Sequence, residues 1–382
     1  MKKKILALVI LLLSLGSMQT TNAQDSSHLR ISLLTCTPGE ELYSIFGHSA
    51  IRIVDSSSVT DYVFNYGTFN FDDEGFYIKF MRGKLLYYVN AERFDNFVYN
   101  YQMEGRGIRE QELDFTPAEK ITIQRSLLEN LKEENKYYQY DFFLDNCTTR
   151  LRDILLSYKQ PRPQLPAAMP ANTTFRQAIY TYLNKGGKNW SKLGIDLLLG
   201  AKTDKVMSVS EQAFLPDNLM QSIDSCRNLK LVAGSKQLYW IENKKEPAHW
   251  FTPLVFFTLL LLIIFITGLS SNEKAVSVLF NFDRMLFFTT GLLGILLLLM
   301  WFGTDHSMTK NNYNLIWALP THTIAAFLLN KKNKFVTLYF TGTSIAMGLL
   351  LISWFLIPQT LNIALIPFVI LLLYRAALAA TK

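Results

Sequence analysis

The sequence predicts an α+β exported domain followed by an all-α membrane domain of five helices. Three observations carry this. A short charged-then-apolar leader opens the chain. Alternating strand patterns and capped helices follow from residue 24 to 235. From residue 251 to 382, long apolar runs dominate.

The leader has Lys2 to Lys4, an apolar stretch from Ile5 to Leu15, and small residues at Thr21-Asn22-Ala23. That order reads as a secretory signal peptide over 1–23. The apolar stretch is too short for a membrane span, which needs about 20 residues. In the exported domain, strands are expected at 30–35, 48–54, 61–66, 85–89 and 109–113. The polar turn Asp55-Ser56-Ser57-Ser58 joins the second and third as a hairpin. A turn or short helix is expected at 39–45, and a short helix at 75–81. Thr116-Pro117-Ala118-Glu119 is a capping box with proline at the first helical position. It opens a helix to about residue 133. A further helix begins at Cys147 and ends before Pro161 and Pro163. Together these predict an antiparallel sheet with packed helices. The aromatics between Phe64 and Tyr101 read as core and strand faces, or as a lipid-facing surface.

Residues 236–250 read as a linker. The expected spans are about 251–269, 286–302, 313–329, 336–357 and 361–379, the third weakened by Pro320 and His322. With the N-terminus of the mature chain outside, the inner segments hold Lys274, Arg284, Lys331, Lys332, Lys334, Arg375 and Lys382. The short outer loops hold only Lys310, as the positive-inside rule requires. The net charge of +7 is therefore largely topogenic, and no nucleic-acid partner is expected.

The mature chain has three cysteines, Cys36, Cys147 and Cys226, without a CxxC or a Cys/His cluster. That argues against a zinc site, and no cofactor is expected. An exported compartment permits disulfides, so Cys36–Cys226 is a candidate bond that leaves Cys147 as the odd thiol. Asp145 or Asn146 caps the helix that Cys147 opens. Free amides and the helix dipole there favour a thiolate. A buried structural cysteine is the competing reading. A nucleophile needs a base, and His48 is the candidate, His28 lying in a polar lead-in. Asn65 is the first choice to orient the imidazole, ahead of Asp61 and Asp55. Tyr43 or Tyr140 and the Cys147 amide are candidate oxyanion donors. Arg106, Arg109, Arg150 and Arg152 are candidates for phospholipid headgroups. Asp305 and His306 fall in an outer loop and are candidates for an acceptor site. His322, an ionisable group inside a span, is a candidate functional residue.

The segments LLTCTPGEELYSIFGHSAIRI, DYVFNYGTFNF, GKLLYYV, YDFFLDNCTTRLRD, GIDLLLGAKTDK and QAFLPDNL together resemble the Lnb family, named for lipoprotein N-acylation in Bacteroides. The resemblance covers nearly the whole mature chain. It implies a periplasmic domain with a permuted papain-like fold of the NlpC/P60 and lecithin:retinol acyltransferase type, then a five-helix membrane domain in the bacterial inner membrane. His48 matches the motif histidine and Cys147 the motif cysteine. The implied reaction moves an acyl chain from a phospholipid onto Cys147 as a thioester, then onto the N-terminal cysteine amine of a diacylated lipoprotein. A papain-like peptidase or amidase of the cell envelope and a non-catalytic membrane-anchored binding protein are the rival readings.

Overall fold

The computed structural model describes residues 25–239, 250–331 and 333–381. The expected signal peptide lies outside the described residues, as does most of the expected linker.

A seven-stranded antiparallel sheet organises the first part, in the order β6-β4-β3-β2-β1-β5-β7. The strands are β1 (Leu29–Cys36), β2 (His48–Asp55), β3 (Thr60–Thr68), β4 (Leu86–Arg93), β5 (Ile108–Leu113), β6 (Tyr137–Gln139) and β7 (Val232–Tyr239). The five expected strands are all present. The edge strands β6, of three residues, and β7, of eight, are not expected from the sequence, and β7 runs past the expected domain boundary at residue 235.

Helices cover both faces of the sheet centre. In chain order they are α1 (Phe76–Met81), α2 (Phe94–Met103), α3 (Pro117–Asn130), α4 (Cys147–Tyr158), α5 (Phe175–Lys185), α6 (Asn189–Leu198) and α7 (Pro216–Asp224). Ile31, Leu33, Ile51, Ile53 and Phe64 pack against Ile123 and Leu127 of α3, Leu151 and Leu155 of α4 and Leu219 of α7. On the other face, Leu34, Ala50, Val63 and Ile108 pack against Phe97 of α2. This double cover explains why β1 loses its alternation and is almost wholly buried. The end of the aromatic run therefore belongs to a helix: Phe94, Phe97 and Tyr101, with Val98, share one helical face over the sheet. The capping box forms as the sequence predicts. Thr116 Oγ1 accepts from the Glu119 amide, and Glu119 accepts from the Thr116 amide at 2.8 Å.

The second part is helical. α8 (Pro253–Gly268) is apolar but 16 residues long. Among the described residues, three helices are long and apolar enough to cross a membrane: Glu273–Phe302 (α9), Lys334–Ile352 (α10), and α11 (Ile366–Ala380) with its leading 3-10 turn Ile363–Leu365. The expected third span, 313–329, is not a continuous helix. It is a 3-10 turn at Tyr313–Ile316, a four-residue helix at His322–Ala325, and turns between and after them. Pro320 breaks the helical ladder there. Such backbone is tolerated at membrane depth only when buried in protein. It is: Trp317, Ala318, His322 and Ala326 are at most 1 % exposed. Two glycines of α9 make room. A Cβ on Gly294 would lie 2.0 Å from the Ala318 carbonyl oxygen, and one on Gly291 would lie 2.3 Å from the Thr323 nitrogen. A buried bidentate pair between Arg375 and Asp283, at 2.6 and 2.8 Å, fixes α11 to α9.

The two parts dock closely. Asn312 Nδ2 donates to the Leu197 carbonyl (2.7 Å), Asn314 Nδ2 to that of Asp196 (3.1 Å) and Gln359 Nε2 to that of Leu199 (3.0 Å). These caps serve the C-terminal carbonyls of α6, which its own ladder leaves unpaired. Asp196 also accepts from Asn362 Nδ2 at 2.8 Å. Its other oxygen is held by fully buried Arg176 of α5.

Candidate active site

α4 begins at Cys147. The Asn146 side chain accepts from the amides of Thr148 and Thr149, both at 2.8 Å, and Thr149 Oγ1 accepts from the Asn146 amide. Asn146 Nδ2 donates to the carbonyls of Phe142 (2.7 Å) and Phe214 (3.0 Å), so the cap is also tied to the surrounding loops. The Cys147 amide makes no hydrogen bond with the described residues. It stands at the positive end of the helix beside its own thiol.

β2 supplies His48, the candidate base. His48 opens the strand opposite Cys36 of β1, after Gly47 in the left-handed region at φ 79°. A Cβ at Gly47 would meet the Cys36 carbonyl oxygen at 2.7 Å, so the close turn into β2 needs glycine. Ser49 Oγ and Thr148 Oγ1 lie 3.0 Å apart in the buried seam between β2 and α4, which fixes the strand against the helix. His48 and Cys147 face each other across this seam, near enough for each to shift the other's protonation.

β3 and β4 orient the imidazole. Asn65 Oδ1 lies 3.2 Å from His48 Nε2, and Asn65 Nδ2 donates to Glu92 Oε1 at 2.9 Å. A carboxylate only accepts, so Glu92 fixes which end of the Asn65 amide faces His48. The Asn65 oxygen then takes the Nε2 proton, and the lone pair of the neutral ring is left on Nδ1 for the thiol. Beyond Asn65 the β3–β4 register shifts, and Gly67 at φ 88° carries the backbone past the thiol. A Cβ there would lie 3.6 Å from both Cys147 Cβ and Tyr140 Cε2.

The electrostatics follow from these contacts. Burial pushes the Cys147 thiol up, but the charge and hydrogen bond of His48, the Ser49 amide and the Thr148 hydroxyl outweigh it. The result is about 7 against an ordinary 9.0. Burial pushes the His48 imidazole down, and the Cys147 thiolate with the Asn65 carbonyl outweighs that. It lies above its ordinary 6.5. Burial holds Glu92 above the usual carboxylate range, against the Asn65 hydrogen bond and the His48 charge. The arrangement makes a thiolate–imidazolium pair near neutral pH, which is what a thiol nucleophile requires.

Two family models match this chain. The Lnb N-terminal periplasmic domain matches residues 17–180, and the Lnb transmembrane domain matches residues 244–382. The chain belongs to the Lnb family. No curated protein and no solved structure matches it. Lnb membership, with the apolar helices, makes it a membrane protein with a periplasmic domain.

In this Lnb chain the structure gathers Cys147, His48 and Asn65, and adds Glu92, which sequence reasoning missed. Glu92 sits on β4 two residues beyond Asn90, the position opposite Asn65, and so on the same face of the sheet. Only the strand pairing reveals it. The other residues named from the sequence are placed as follows. Tyr43 is 69 % exposed in the turn before β2 and hydrogen bonds with no described residue. Tyr140, which flanks Gly67 and stacks on Tyr87 at 4.3 Å, is the tyrosine beside the thiol. The arginines are engaged inside the protein. Arg150 forms a bidentate pair with Asp145 (2.7 Å twice) and lies 3.5 Å over the Tyr138 ring. Arg106 binds Glu104 and the Thr37 carbonyl. Arg109 binds Asp224 and Ser235, and Arg152 binds Asp153 and the Ser210 carbonyl. Asp305 and His306 bond the segment at the end of α1. The Asp305 amide donates to the Arg82 carbonyl (3.0 Å), and His306 Nε2 bonds the Phe80 carbonyl (3.0 Å). Their neighbour Ser307 donates to Asp141 at 2.7 Å. His322 is fully buried, with Nδ1 2.6 Å from the Tyr339 hydroxyl. All three cysteines are free. Cys36 lies in the sheet, while Cys226 follows α7 and bonds Gln164 and Asn228.

Proposed function

We propose that this Lnb protein is a lipoprotein N-acyltransferase of the bacterial inner membrane, a multi-pass protein with its catalytic domain in the periplasm. The observation that carries the reading is the activated thiol at the first position of α4, in a domain docked on membrane helices. The donor is a phospholipid and the acceptor a diacylated lipoprotein. Both are held in the bilayer, which gives a soluble catalytic domain a reason to carry a helical membrane domain.

In the first half-reaction, His48 takes the Cys147 proton and the thiolate attacks a glycerol ester carbonyl. The oxyanion receives a hydrogen bond from the Cys147 amide at the helix N-terminus. The ester C–O bond breaks, His48 returns the proton to the glycerol oxygen, and a lysophospholipid leaves an acyl thioester on Cys147. In the second, the neutral α-amine of the lipoprotein's N-terminal cysteine attacks the thioester. His48 accepts the amine proton, the C–S bond breaks, and the amide product departs. Asn65 and Glu92 hold the imidazole throughout. The histidine strand before the cysteine helix, over an antiparallel sheet, supports a permuted papain-like relationship.

The test is mass spectrometry of a reporter lipoprotein's N-terminal lipopeptide in cells without their own N-acylating enzyme. Conversion from diacyl to triacyl by the wild-type chain and not by Cys147→Ala is the expected result. An unshifted lipopeptide with well-expressed protein would refute it and favour a peptidase or amidase.

A further inference from the structure

An exposed apolar surface lies at α1. The sequence from Phe71 to Lys84 buries little of its hydrophobic content: Tyr77 is 79 % exposed, Phe71 63 %, Ile78 62 % and Met81 47 %. A cluster of this kind on a water-facing surface marks contact with lipid or protein. Position decides between them. The α1 carbonyls of Phe80 and Arg82 are hydrogen bonded to His306 and to the Asp305 amide, three and four residues past the end of α9. α1 is therefore fastened where the longest apolar helix ends, beside exposed Phe302. Exposed Arg82 and Lys84 flank the patch with positive charge, as suits an interface with anionic lipid headgroups.

An aromatic string leads inward from this patch. Phe71 lies 5.1 Å from Phe76, Phe76 5.9 Å from Phe69, and Phe69 5.3 Å from Tyr87. Tyr87 stacks on Tyr140, which flanks Gly67 beside Cys147. The string is aromatic from the exposed patch to the neighbourhood of Cys147.

We infer that α1 with Phe71 is embedded in the headgroup–acyl boundary of the bilayer, and that the aromatic string is the wall along which a phospholipid acyl ester reaches Cys147. The second half rests on the acyl-transfer reading. The first half stands on geometry alone.

The full chain is reconstituted in phosphatidylethanolamine–phosphatidylglycerol vesicles, with a nitroxide on Ile78→Cys in a Cys147→Ala, Cys226→Ser background. Val59→Cys, 90 % exposed at the tip of the β2–β3 hairpin, is the aqueous control. Dissolved oxygen should relax the label at 78 more than a water-soluble nickel chelate does, with the reverse at 59. A label at 78 that behaves as the one at 59 overturns the placement. With the native cysteines, Tyr77→Ser combined with Ile78→Ser should slow thioester formation from vesicle phospholipid at least about tenfold. Alkylation of Cys147 by iodoacetamide should stay at the wild-type rate, which shows an intact site. Thioester formation at the wild-type rate in the double variant overturns the route. A wild-type chain that forms no thioester overturns the route together with the reading beneath it, and the label at 78 still decides the placement.

Discussion

Replacing His48 by alanine tests the activation of Cys147 directly. The thiol stands at about 7 against an ordinary 9.0 because the His48 charge and hydrogen bond outweigh burial. At pH 7 this raises the thiolate fraction from about one per cent to about one half, roughly fiftyfold. A less basic thiolate is a weaker nucleophile, by about eightfold over this range at a Brønsted slope near 0.45. The net expectation is that Cys147 alkylates about sixfold faster at pH 7 than an unperturbed thiol. The sign is that of an acid whose ionisation is favoured: thiolate accumulates as pH rises through about 7. In His48→Ala burial is opposed only by the Ser49 amide and the Thr148 hydroxyl, so the inflection moves up from about 7 and the advantage at pH 7 falls. The assay is the iodoacetamide rate against pH in Cys226→Ser protein, Cys36 being fully buried. An inflection that stays near 7 in His48→Ala would refute the coupling. The helix N-terminus would then be the source of the lowered value.

Asn65→Ala removes the oxygen that orients His48, and acyl transfer should fall about tenfold, as for loss of one well-placed hydrogen bond. Glu92→Gln still offers an oxygen to Asn65 Nδ2 and should stay within about fivefold of wild type; Glu92→Leu should match Asn65→Ala. Both are read from initial rates of lipopeptide acylation. Gly67→Ala forces a side chain onto a backbone at φ 88°, and should lower unfolding stability in detergent by about 1–3 kcal/mol. Asp196→Ala removes one of the two carboxylates that pair the fully buried Arg176, Asp204 remaining at 3.0 Å, and should cost about 1–3 kcal/mol by the same thermal assay, with loss of the Asn362 contact between the two domains.

The site was partly legible because its local signals are short. The cap before Cys147 and the glycine before His48 are both read within a few residues, and a thiol at a helix start has a single chemical consequence. Cys147, His48 and Asn65 could be named on those grounds. Glu92 could not, because its role comes from a diagonal contact across β3 and β4, and register is invisible to a one-dimensional pattern. The arginines misled for a related reason. A sequence shows their charge but not their partners, and Arg150 is spent on Asp145 and Tyr138.

By itself, the sequence determined the division into an α+β domain and an apolar helical domain, because burial and membrane depth write their periods directly into residue order. It also determined two helix starts, at Pro117 and Cys147, through capping residues that act within one turn. Only the tertiary structure decided the course of 313–329. Whether an interrupted apolar run forms a helix depends on which neighbours satisfy its freed backbone groups. Here α9 offers Gly291 and Gly294 as a close backbone seat, and the segment packs without becoming a regular helix. Only the structure turned Asp305 and His306 from open polar residues into the fastening of α1, since a loop's hydrogen-bond partners lie far from it in the chain.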